Sequence, residues 1–353
     1  MSEAPIRTFN LCFLGFGKVN RTLLRLLEDR ARELRDRHDI AFRITGVAAR
    51  RLGWIANANG MDTSAALALG TSQEGHDFIR AATTGPRKPA LAAEVKEWLV
   101  AARADVLFEA TSLNVENGQP AVDYIRAALE HGAHVITANK GPVVHAYGEL
   151  RDLARAHGKR FLFESTVMDG VPIFSFFDQL PVLHLNGFHG ILNSTTNLIL
   201  GEMENGLSLD EALKKAQALG VAETDATHDI DGWDAAVKTA ALITVLMDIP
   251  IRLDQIDREG IRDLTTQAVR NARRDGWPYK LVCRAHRVAG GVEASVKPEK
   301  VLSTQPMARI SGTSSYIYFE TDIFPGLAIT EENPGLYATA YGMLADFVRA
   351  AKD

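Results

Sequence analysis

An acidic stretch that ends on a lysine is the part of this sequence best suited to chemistry. Residues 220–238 read GVAETDATHDIDGWDAAVK, and five carboxylates fall within twelve of these positions: Glu223, Asp225, Asp229, Asp231 and Asp234. Asp234 and Lys238 are four residues apart in a run, 233–247, that predicts a buried helix, so both side chains project from one helix face. In a pocket, such carboxylates would hold a cationic ammonium group while the lysine handles a proton.

The same stretch also has a purely structural explanation. Asp229 and Asp231 would cap the helix, and the positive end of the helix dipole would favour the remaining acids. Asp234 and Lys238 would then form an ordinary i,i+4 pair. This stretch alone does not distinguish a substrate pocket from a helix cap, so the remaining sequence has to be considered.

A glycine turn near the start of the chain predicts a nucleotide site. Residues 9–14 form an apolar run typical of a strand, leucines follow at helical spacing, and between them lie Gly15, Phe16, Gly17, Lys18, Val19 and Asn20. Strand, glycine turn and helix in this order are the dinucleotide-binding fingerprint, with Asn20 in place of the third glycine. The alternative is a plain strand-helix turn; the context favours phosphates bound at the turn.

The end of the second predicted strand, 42–48, indicates which dinucleotide is bound. A fold that prefers NAD usually has an acid here for the ribose hydroxyls, whereas this chain has Arg50 and Arg51. A guanidinium suits a 2′-phosphate, so NADP is favoured, with NAD possible. The alternative is a solvated charge pair at a strand end.

Polar residues follow two further predicted strands. Residues 104–110 lead to Thr111 and Ser112, and residues 134–137 lead to Asn139 and Lys140. Ligands of open α/β sheets lie at the carboxyl ends of strands, so these residues are expected at the rim of the cofactor crevice. The alternation of strands with helices, including one at 117–131, predicts a doubly wound parallel sheet. Residues 53–96 predict alanine-rich helical pieces and a turn at 83–89, without chemistry.

The later part of the chain predicts a second domain. Residues 161–163 and a strand at 187–192 both lead into polar clusters, and helices at 209–219 and 233–247 precede strands at 281–286, 291–296 and 315–321. This mixture predicts an α+β substrate domain built on a sheet. We expect domains at 1–150 and 151–325, and a C-terminal segment, 326–353, with a helix at 338–351.

Composition excludes several classes of protein. A chain of 353 residues predicts two domains, and its net charge of -5 argues against a nucleic-acid-binding surface. No stretch is apolar for long enough to be a membrane span, and the start lacks a signal core. Cys12 and Cys283 lie in apolar runs without metal-type spacing, which predicts reduced core thiols. We expect a cytoplasmic protein.

Five blocks of this sequence, in order, resemble the homoserine dehydrogenase family, in its short form without a regulatory domain. They are GFGKV, HVITANKGP, FESTVMDGVPIF, GILNSTTNLIL and the acidic stretch. The resemblance implies a Rossmann-type domain, an α+β catalytic and dimerisation domain, and a last helix that returns to the nucleotide domain. It also implies a homodimer, and a C-terminal loop at Gly335 near the cofactor.

The resemblance implies a role for individual residues. Members use a small-molecule amino-acid substrate: they interconvert L-aspartate 4-semialdehyde and L-homoserine, with NAD(P) as the cofactor. Their two catalytic lysines match Lys140 and Lys238. The family's substrate carboxylates match Glu223, Asp229 and Asp234, and Ser194 and Thr195 lie in a further substrate block. A monovalent cation such as Na⁺ is implied, bound largely through main-chain carbonyls, by the block that contains Glu164, Val167, Asp169 and Val171. The alternative for this last block is a simple turn.

Some positions depart from the family pattern. Ser194 replaces a glycine, Val221 a tyrosine and Ala226 a proline, while Met168 and Asp169 replace small residues. These changes leave open a related amino-acid alcohol or semialdehyde as the substrate, or a catalytically silent NADP(H) sensor. We favour hydride transfer between the nicotinamide C4 and the C4 carbonyl carbon of the semialdehyde. Glu223 and Asp229 would hold the ammonium group, Lys140 and Lys238 would flank the reacting oxygen, and Lys238, tuned by Asp234, would deliver the proton.

Overall fold

The structure is a computed structural model that describes residues 5–69, 90–92 and 94–352. It contains two compact units, Met1–Pro172 with Gly335–Asp353, and Ile173–Pro334. The boundaries expected from the sequence lay at residues 150 and 325, so the first segment of this unit is longer than expected and its C-terminal segment is shorter. The turn expected at 83–89 lies outside the described residues.

A seven-stranded sheet forms the centre of the first unit, in the order β4-β3-β2-β1-β5-β6-β7. Its strands are β1 Arg7–Leu14, β2 Ile40–Ala49, β3 Gly53–Met61, β4 Ala90–Ala92, β5 Val106–Glu109, β6 His134–Thr137 and β7 Phe161–Leu162. The five strands β2, β1, β5, β6 and β7 lie parallel to one another, as predicted for a doubly wound sheet. Because the strand order reverses beside β1, a crevice is expected at the carboxyl ends of β1, β2 and β5.

The antiparallel edge of this sheet was not predicted. Residues 53–61, expected to be helical, instead form β3, which pairs antiparallel with β2 and with β4. Gly53 adopts a φ of +72°, and the Leu52 amide donates to the Ala49 carbonyl at 2.9 Å, so the chain reverses over a few residues. The alanine-rich sequence has weak strand propensity, and pairing with a buried neighbouring strand overrides it.

Seven helices are described in the first unit, besides a short 3₁₀ turn at Glu164–Thr166: Lys18–Asp29, Ala31–His38, Thr63–Ala68, Val95–Ala102, Ala121–His131, Lys140–Ala156 and Leu336–Ala351. The helix expected at 117–131 begins only at Ala121, because Gly118 has a φ of +69° and Pro120 follows it. The last helix packs against Lys18–Asp29, and its Phe347 ring packs on aromatic residues of β1 and β5. The Phe347 ring lies 5.5 Å from Phe9 and 5.9 Å from Phe108.

The second unit is α+β, as predicted. Its six-stranded sheet has the order β13-β12-β8-β10-β11-β9 and is antiparallel except where β9 joins β11. The strands are β8 Leu185–Ile191, β9 Asp257–Arg258, β10 Tyr279–Val288, β11 Gly291–Lys300, β12 Ser315–Thr321 and β13 Leu327–Glu331. Strand β13 was missed because its burial is only partial and its sequence is short.

Helices cover the second sheet. They are Ile173–Asp178, Ser194–Glu204, Leu209–Ala218, Thr227–Ile230, Trp233–Leu246 and Thr266–Arg274, with 3₁₀ turns at Leu253–Gln255 and Pro306–Arg309. Trp233–Leu246 is buried along most of its length, as the apolar run at 233–247 predicted. No helix in the described part of the chain has the length and apolarity to cross a membrane. Cys12 and Cys283 are both buried and free of disulfide bonds.

Candidate active site

The glycine turn after β1 requires glycine at its first position. Gly15 has a φ of +79°, and a Cβ atom there would lie 2.4 Å from the Ala110 carbonyl oxygen. A Cβ atom on Gly17 would meet nothing within 4 Å. The helix that begins at Lys18 has no side-chain cap at its N-terminus. Amide groups at such an uncapped N-terminus suit a phosphate, which fits a dinucleotide at this turn.

Asn20 gives the reason why the third glycine of the fingerprint is dispensable here. Its side chain is fully buried, and Nδ2 donates to the carbonyl oxygens of Leu14 at 3.0 Å and Gly15 at 3.2 Å. A further contact of 3.4 Å reaches the Phe108 carbonyl on β5. Hydrogen bonds to two adjacent strands therefore fix the helix on the sheet, a task that close packing against glycine otherwise performs.

A cavity of about 660 Å³ opens at the carboxyl ends of β1, β2 and β5. Its lining contains three arginines, Arg21, Arg50 and Arg51, and no carboxylate from the described residues. The predicted cofactor residues that line it are Gly15, Phe16, Gly17, Arg50, Thr111 and Ser112. Arg50 and Arg51 are exposed at the turn between β2 and β3. A cationic wall without an acid fits a nucleotide that carries phosphate groups.

Four predicted cofactor residues lie elsewhere in the first unit. Lys18 and Val19 form the first turn of their helix, and Gly335 is the N-cap residue of the last helix. Asn139 caps the helix Lys140–Ala156 by accepting from the Gly141 amide at 3.0 Å. Lys140 is the first residue of that helix and is partly exposed.

Glu109, at the end of β5, organises this edge and was missed by the sequence analysis. Its buried carboxylate accepts from the Thr111 amide at 2.7 Å and from the Thr137 hydroxyl at 2.6 Å. Asn139 in turn approaches Thr111 at 3.4 Å. Burial raises the pKa of Glu109, and the hydrogen bonds from Thr111 and Thr137 oppose that rise. The only sequence signal was an acid that closes an otherwise apolar strand.

In the second unit, Asn193 joins two acids of the acidic stretch. Its Nδ2 atom donates to Asp229 Oδ1 at 2.7 Å and to Asp234 Oδ2 at 3.0 Å. Its Oδ1 atom accepts from the Thr196 amide and hydroxyl, both at 2.8 Å, which fixes the orientation of the amide. Asn193 is itself buried and lies two residues after the end of β8.

Lys238 lies beside this cluster. Its Nζ atom donates to the Leu192 carbonyl at 2.7 Å and lies 3.2 Å from Asp234 Oδ2. The two side chains are only 16% and 18% exposed, so water screens the pair weakly. Asn193, Asp229, Asp234 and Lys238 together bring two carboxylates and one ammonium group to the carboxyl end of β8.

The other three acids of the stretch have different surroundings. Asp225 accepts from the Thr227 amide at 3.0 Å in a turn, and Asp231 pairs with Arg262 at 2.7 Å. The side chain of Glu223, predicted to bind substrate, is exposed. The caps that the structural alternative expected of Asp229 and Asp231 are absent, because Gly232 is the N-cap residue of the helix and no side chain caps it, whereas the expected i,i+4 pair of Asp234 and Lys238 is present.

Ser194 and Thr195 open the helix that follows Asn193. Ser194 is partly exposed, whereas Thr195 is buried and its hydroxyl lies 3.5 Å from the Val221 carbonyl. Asn197, one turn along, donates to the Gly312 carbonyl at 3.1 Å and accepts from Lys280 Nζ at 3.0 Å. Burial lowers the pKa of Lys280 to about 8. These contacts anchor the helix to the sheet behind it.

The predicted cation block lies in the first unit, where its carboxylates already have partners. Glu164 is buried and its Oε2 accepts from Arg349 Nη2 at 3.0 Å, while Asp169 Oδ1 accepts from the Thr339 hydroxyl at 2.5 Å. The family resemblance implies main-chain carbonyls, including those of Val167 and Val171, as the ion's ligands, and neutral oxygens suit a monovalent cation. Within the described ranges no group of three or more acidic, histidine or cysteine side chains could hold a metal.

Comparison with known families decides what these two units are. The model described as the NAD binding domain of homoserine dehydrogenase matches residues 15–164, and the model described as homoserine dehydrogenase matches residues 172–348. Together they account for nearly the whole of both units. The chain belongs to the homoserine dehydrogenase family.

Individual relatives agree along nearly the full chain. An NAD⁺-dependent homoserine dehydrogenase of Pseudomonas canavaninivorans is 34% identical over 342 residues, which are 96% of this chain and 95% of that protein. A homoserine dehydrogenase of Sulfurisphaera tokodaii is 31% identical, over 97% of this chain and 99% of that protein. The crystal structure of a homoserine dehydrogenase from Thiobacillus denitrificans matches with a TM-score of 0.81 at 28% identity, over 99% of this chain and 74% of that one.

Membership in the homoserine dehydrogenase family confirms the resemblance and the fold class. It makes the chain an NAD(P)-dependent oxidoreductase that acts on a CH–OH group. The uncapped helix at Gly17 and the arginine-lined cavity are features of its own first unit that fit a nicotinamide dinucleotide.

Proposed function

We propose that this chain interconverts L-aspartate 4-semialdehyde and L-homoserine by hydride transfer. The observation that carries the proposal is the cluster in which Asn193 holds Asp229 and Asp234 while Lys238 pairs with Asp234. A cluster with two carboxylates and one lysine suits the ammonium group of an amino acid. A lysine next to that position suits the oxygen that is reduced or oxidised.

Each residue would act at a defined part of the substrate. Asp229 would bind the ammonium group, with Glu223 as a second carboxylate from the exposed end of the stretch. Thr195 and Ser194, at the N-terminus of their helix, would contact the substrate carboxylate, which the helix dipole favours.

The two lysines would act on the reacting oxygen. A bound nicotinamide ring supplies a hydride to the carbonyl carbon in reduction and accepts it in oxidation. In reduction, Lys238 would give a proton to the oxygen as the hydride arrives at carbon, and Asp234 would stabilise Lys238 in its charged form before that step. The positive charge of Lys140 would stabilise the developing alkoxide.

The dinucleotide is proposed to be NADP. Arg50 and Arg51 line the cavity, and no carboxylate of the described residues lines it to hold a ribose 2′-hydroxyl. A guanidinium there favours a 2′-phosphate. The NAD⁺ dependence named for the Pseudomonas canavaninivorans relative favours the other cofactor, so both have to be assayed.

Three further features belong to the proposal. A monovalent cation such as Na⁺ would sit on main-chain carbonyls of Glu164, Val167, Asp169 and Val171. The family resemblance supports a homodimer, which sedimentation analysis of the purified protein tests. Free buried thiols at Cys12 and Cys283 suit a reducing compartment such as the cytoplasm.

The direct experiment measures nicotinamide absorbance with a panel of amino-acid alcohols and semialdehydes, with NADP and NAD in parallel. We expect L-homoserine and L-aspartate 4-semialdehyde to give the highest specificity constants. A clearly higher constant for another amino alcohol would move the assignment to that substrate. If the protein turned over no compound of the panel with either dinucleotide, the proposed activity would be refuted.

A further inference from the structure

Trp54 lies on the wall of the nucleotide cavity, three residues after Arg51 in the hairpin of β2 and β3. It pairs with Ala48 across β2 and β3, one residue after the Gly53 turn. Its side chain is partly exposed and lines the cavity together with Tyr124 and Pro120, which belong to the segment after β5. The cavity wall thus carries aromatic as well as cationic side chains.

The Trp54 ring is held in place by two aromatic neighbours. Its centroid lies 5.4 Å from Trp98 and 5.5 Å from Tyr124, which it meets edge to face at an interplanar angle of 79°. Trp98 is fully buried, and its indole nitrogen donates to the Ile55 carbonyl at 2.7 Å. A ring that is fixed before a ligand arrives loses little conformational entropy on binding, so it makes an efficient stacking surface.

We propose that Trp54, supported by Tyr124, is the stacking platform for the adenine base of the dinucleotide. The lining contains no Asn, Gln, Asp or Glu from the described residues, the side chains that most readily read the edge of a base. The base is therefore held by its face, while Arg50 and Arg51 take the phosphate beside it. This inference rests on the proposed use of a nicotinamide dinucleotide and adds the residue that binds its base.

Recognition by the face predicts tolerance of the base itself. Stacking depends on the ring system, which every purine has, whereas hydrogen bonds to a base edge distinguish adenine from hypoxanthine. We expect the hypoxanthine analogue of NADP to bind within about threefold of NADP, since the stacking surface is unchanged.

The test uses the full chain and adenosine 2′,5′-bisphosphate, which carries the base and the phosphates but no nicotinamide. Trp54→Leu should weaken its binding by about tenfold or more, whereas Trp54→Phe, which keeps a ring, should stay within about threefold. The etheno derivative of the same ligand gives an optical readout, because stacking on an indole quenches its fluorescence. Wild type should quench it, and Trp54→Leu should not.

Trp277→Leu is the matched control, since Trp277 is an exposed tryptophan of the second unit. It should leave affinity and quenching at wild-type values. Quenching that persists in Trp54→Leu, or its absence in wild type, would overturn the inference even if the leucine variant folded poorly. A wild type that binds no dinucleotide at all would instead refute the proposed cofactor, so the two failures are distinguishable.

Discussion

The ammonium nitrogen of Lys238 lies 3.2 Å from Asp234 Oδ2, one turn earlier on the same helix. The same nitrogen donates to the Leu192 carbonyl, so a carboxylate and a carbonyl fix its position at the end of β8. A surface i,i+4 pair is usually mobile and contributes little. This pair is mostly buried, and Asn193 holds its acid from the other side.

Asn193→Ala should impair substrate binding more than any other step. The substitution leaves Asp229 and Asp234 without their shared donor, and a hydrogen bond to a charged group contributes about 1.5–3 kcal/mol. We expect KM for homoserine to rise about tenfold or more, with little change in affinity for the dinucleotide. Steady-state kinetics measure the first quantity and equilibrium titration the second. Asn271→Ala, on the helix Thr266–Arg274, is the control, and equal KM values for both variants would contradict the role of Asn193.

Arg50→Ala should discriminate between the two cofactors. Only NADPH has a 2′-phosphate for the guanidinium, so its affinity should fall by about tenfold or more while that of NADH changes little. Fluorescence titration with each dinucleotide makes the comparison. Arg32→Ala removes an arginine outside the cavity and should affect neither. If Arg50→Ala lowered the affinity for NADPH and for NADH equally, the arginine would play no part in the preference for NADPH.

The substrate-side departures, Ser194 and Val221, can be reversed together. Thr195 contacts the Val221 carbonyl, so both changes lie beside the same helix start. If they shape the pocket for another amino alcohol, Ser194→Gly with Val221→Tyr should raise the specificity constant for homoserine about tenfold, as one regained contact of about 1–3 kcal/mol implies. If homoserine is already the substrate, the double variant should gain nothing. The proposed function predicts the second outcome, and a tenfold gain would contradict it.

Asp346 gives stability a defined dependence on pH. It is fully buried beside Glu164 and Arg349, and burial raises its pKa from 3.8 to about 7 against the opposing effect of Arg349. Because the folded state holds this proton more tightly than the unfolded state, the resulting stability is present below about pH 4 and is lost as pH rises through 7.

Asp346→Asn removes this titration. Wild type should therefore lose stability relative to the variant between about pH 4 and 7, as measured by urea unfolding at several pH values. Asp36→Asn, an exposed acid on the helix Ala31–His38, should follow the wild-type curve. Parallel curves for wild type and Asp346→Asn would show that Asp346 is already ionised in the fold.

Sequence patterns predicted those parts of the fold that depend on local order. The order of strand, glycine turn and helix predicted the nucleotide site at Gly15. The helical spacing of Asp234 and Lys238 predicted that the two side chains would pair. The hairpin of β2 and β3 was missed, because alanine and asparagine at 53–61 have weak strand propensity and only the neighbouring strand makes them extended.

The candidate site was predictable in its residue types but not in its connections. Asn193 and Glu109 each lie at the end of a strand, and only the packed sheets show which groups they bond. Glu223 looked equivalent to Asp229 in sequence, yet its side chain is exposed, since the chain turns between them. Likewise Arg349 is 185 residues from Glu164, a separation at which no local pattern operates.

Lys238→Ala tests the central claim most directly, with Lys215→Ala as the control on the helix Leu209–Ala218. We expect Lys238→Ala to lose more than about a thousandfold in kcat for homoserine oxidation, because it removes the group that exchanges the proton, and to keep wild-type affinity for the dinucleotide. Lys215→Ala should match wild type in both. If Lys238→Ala retained even a tenth of wild-type kcat while binding the dinucleotide normally, Lys238 would not be the catalytic lysine of this enzyme.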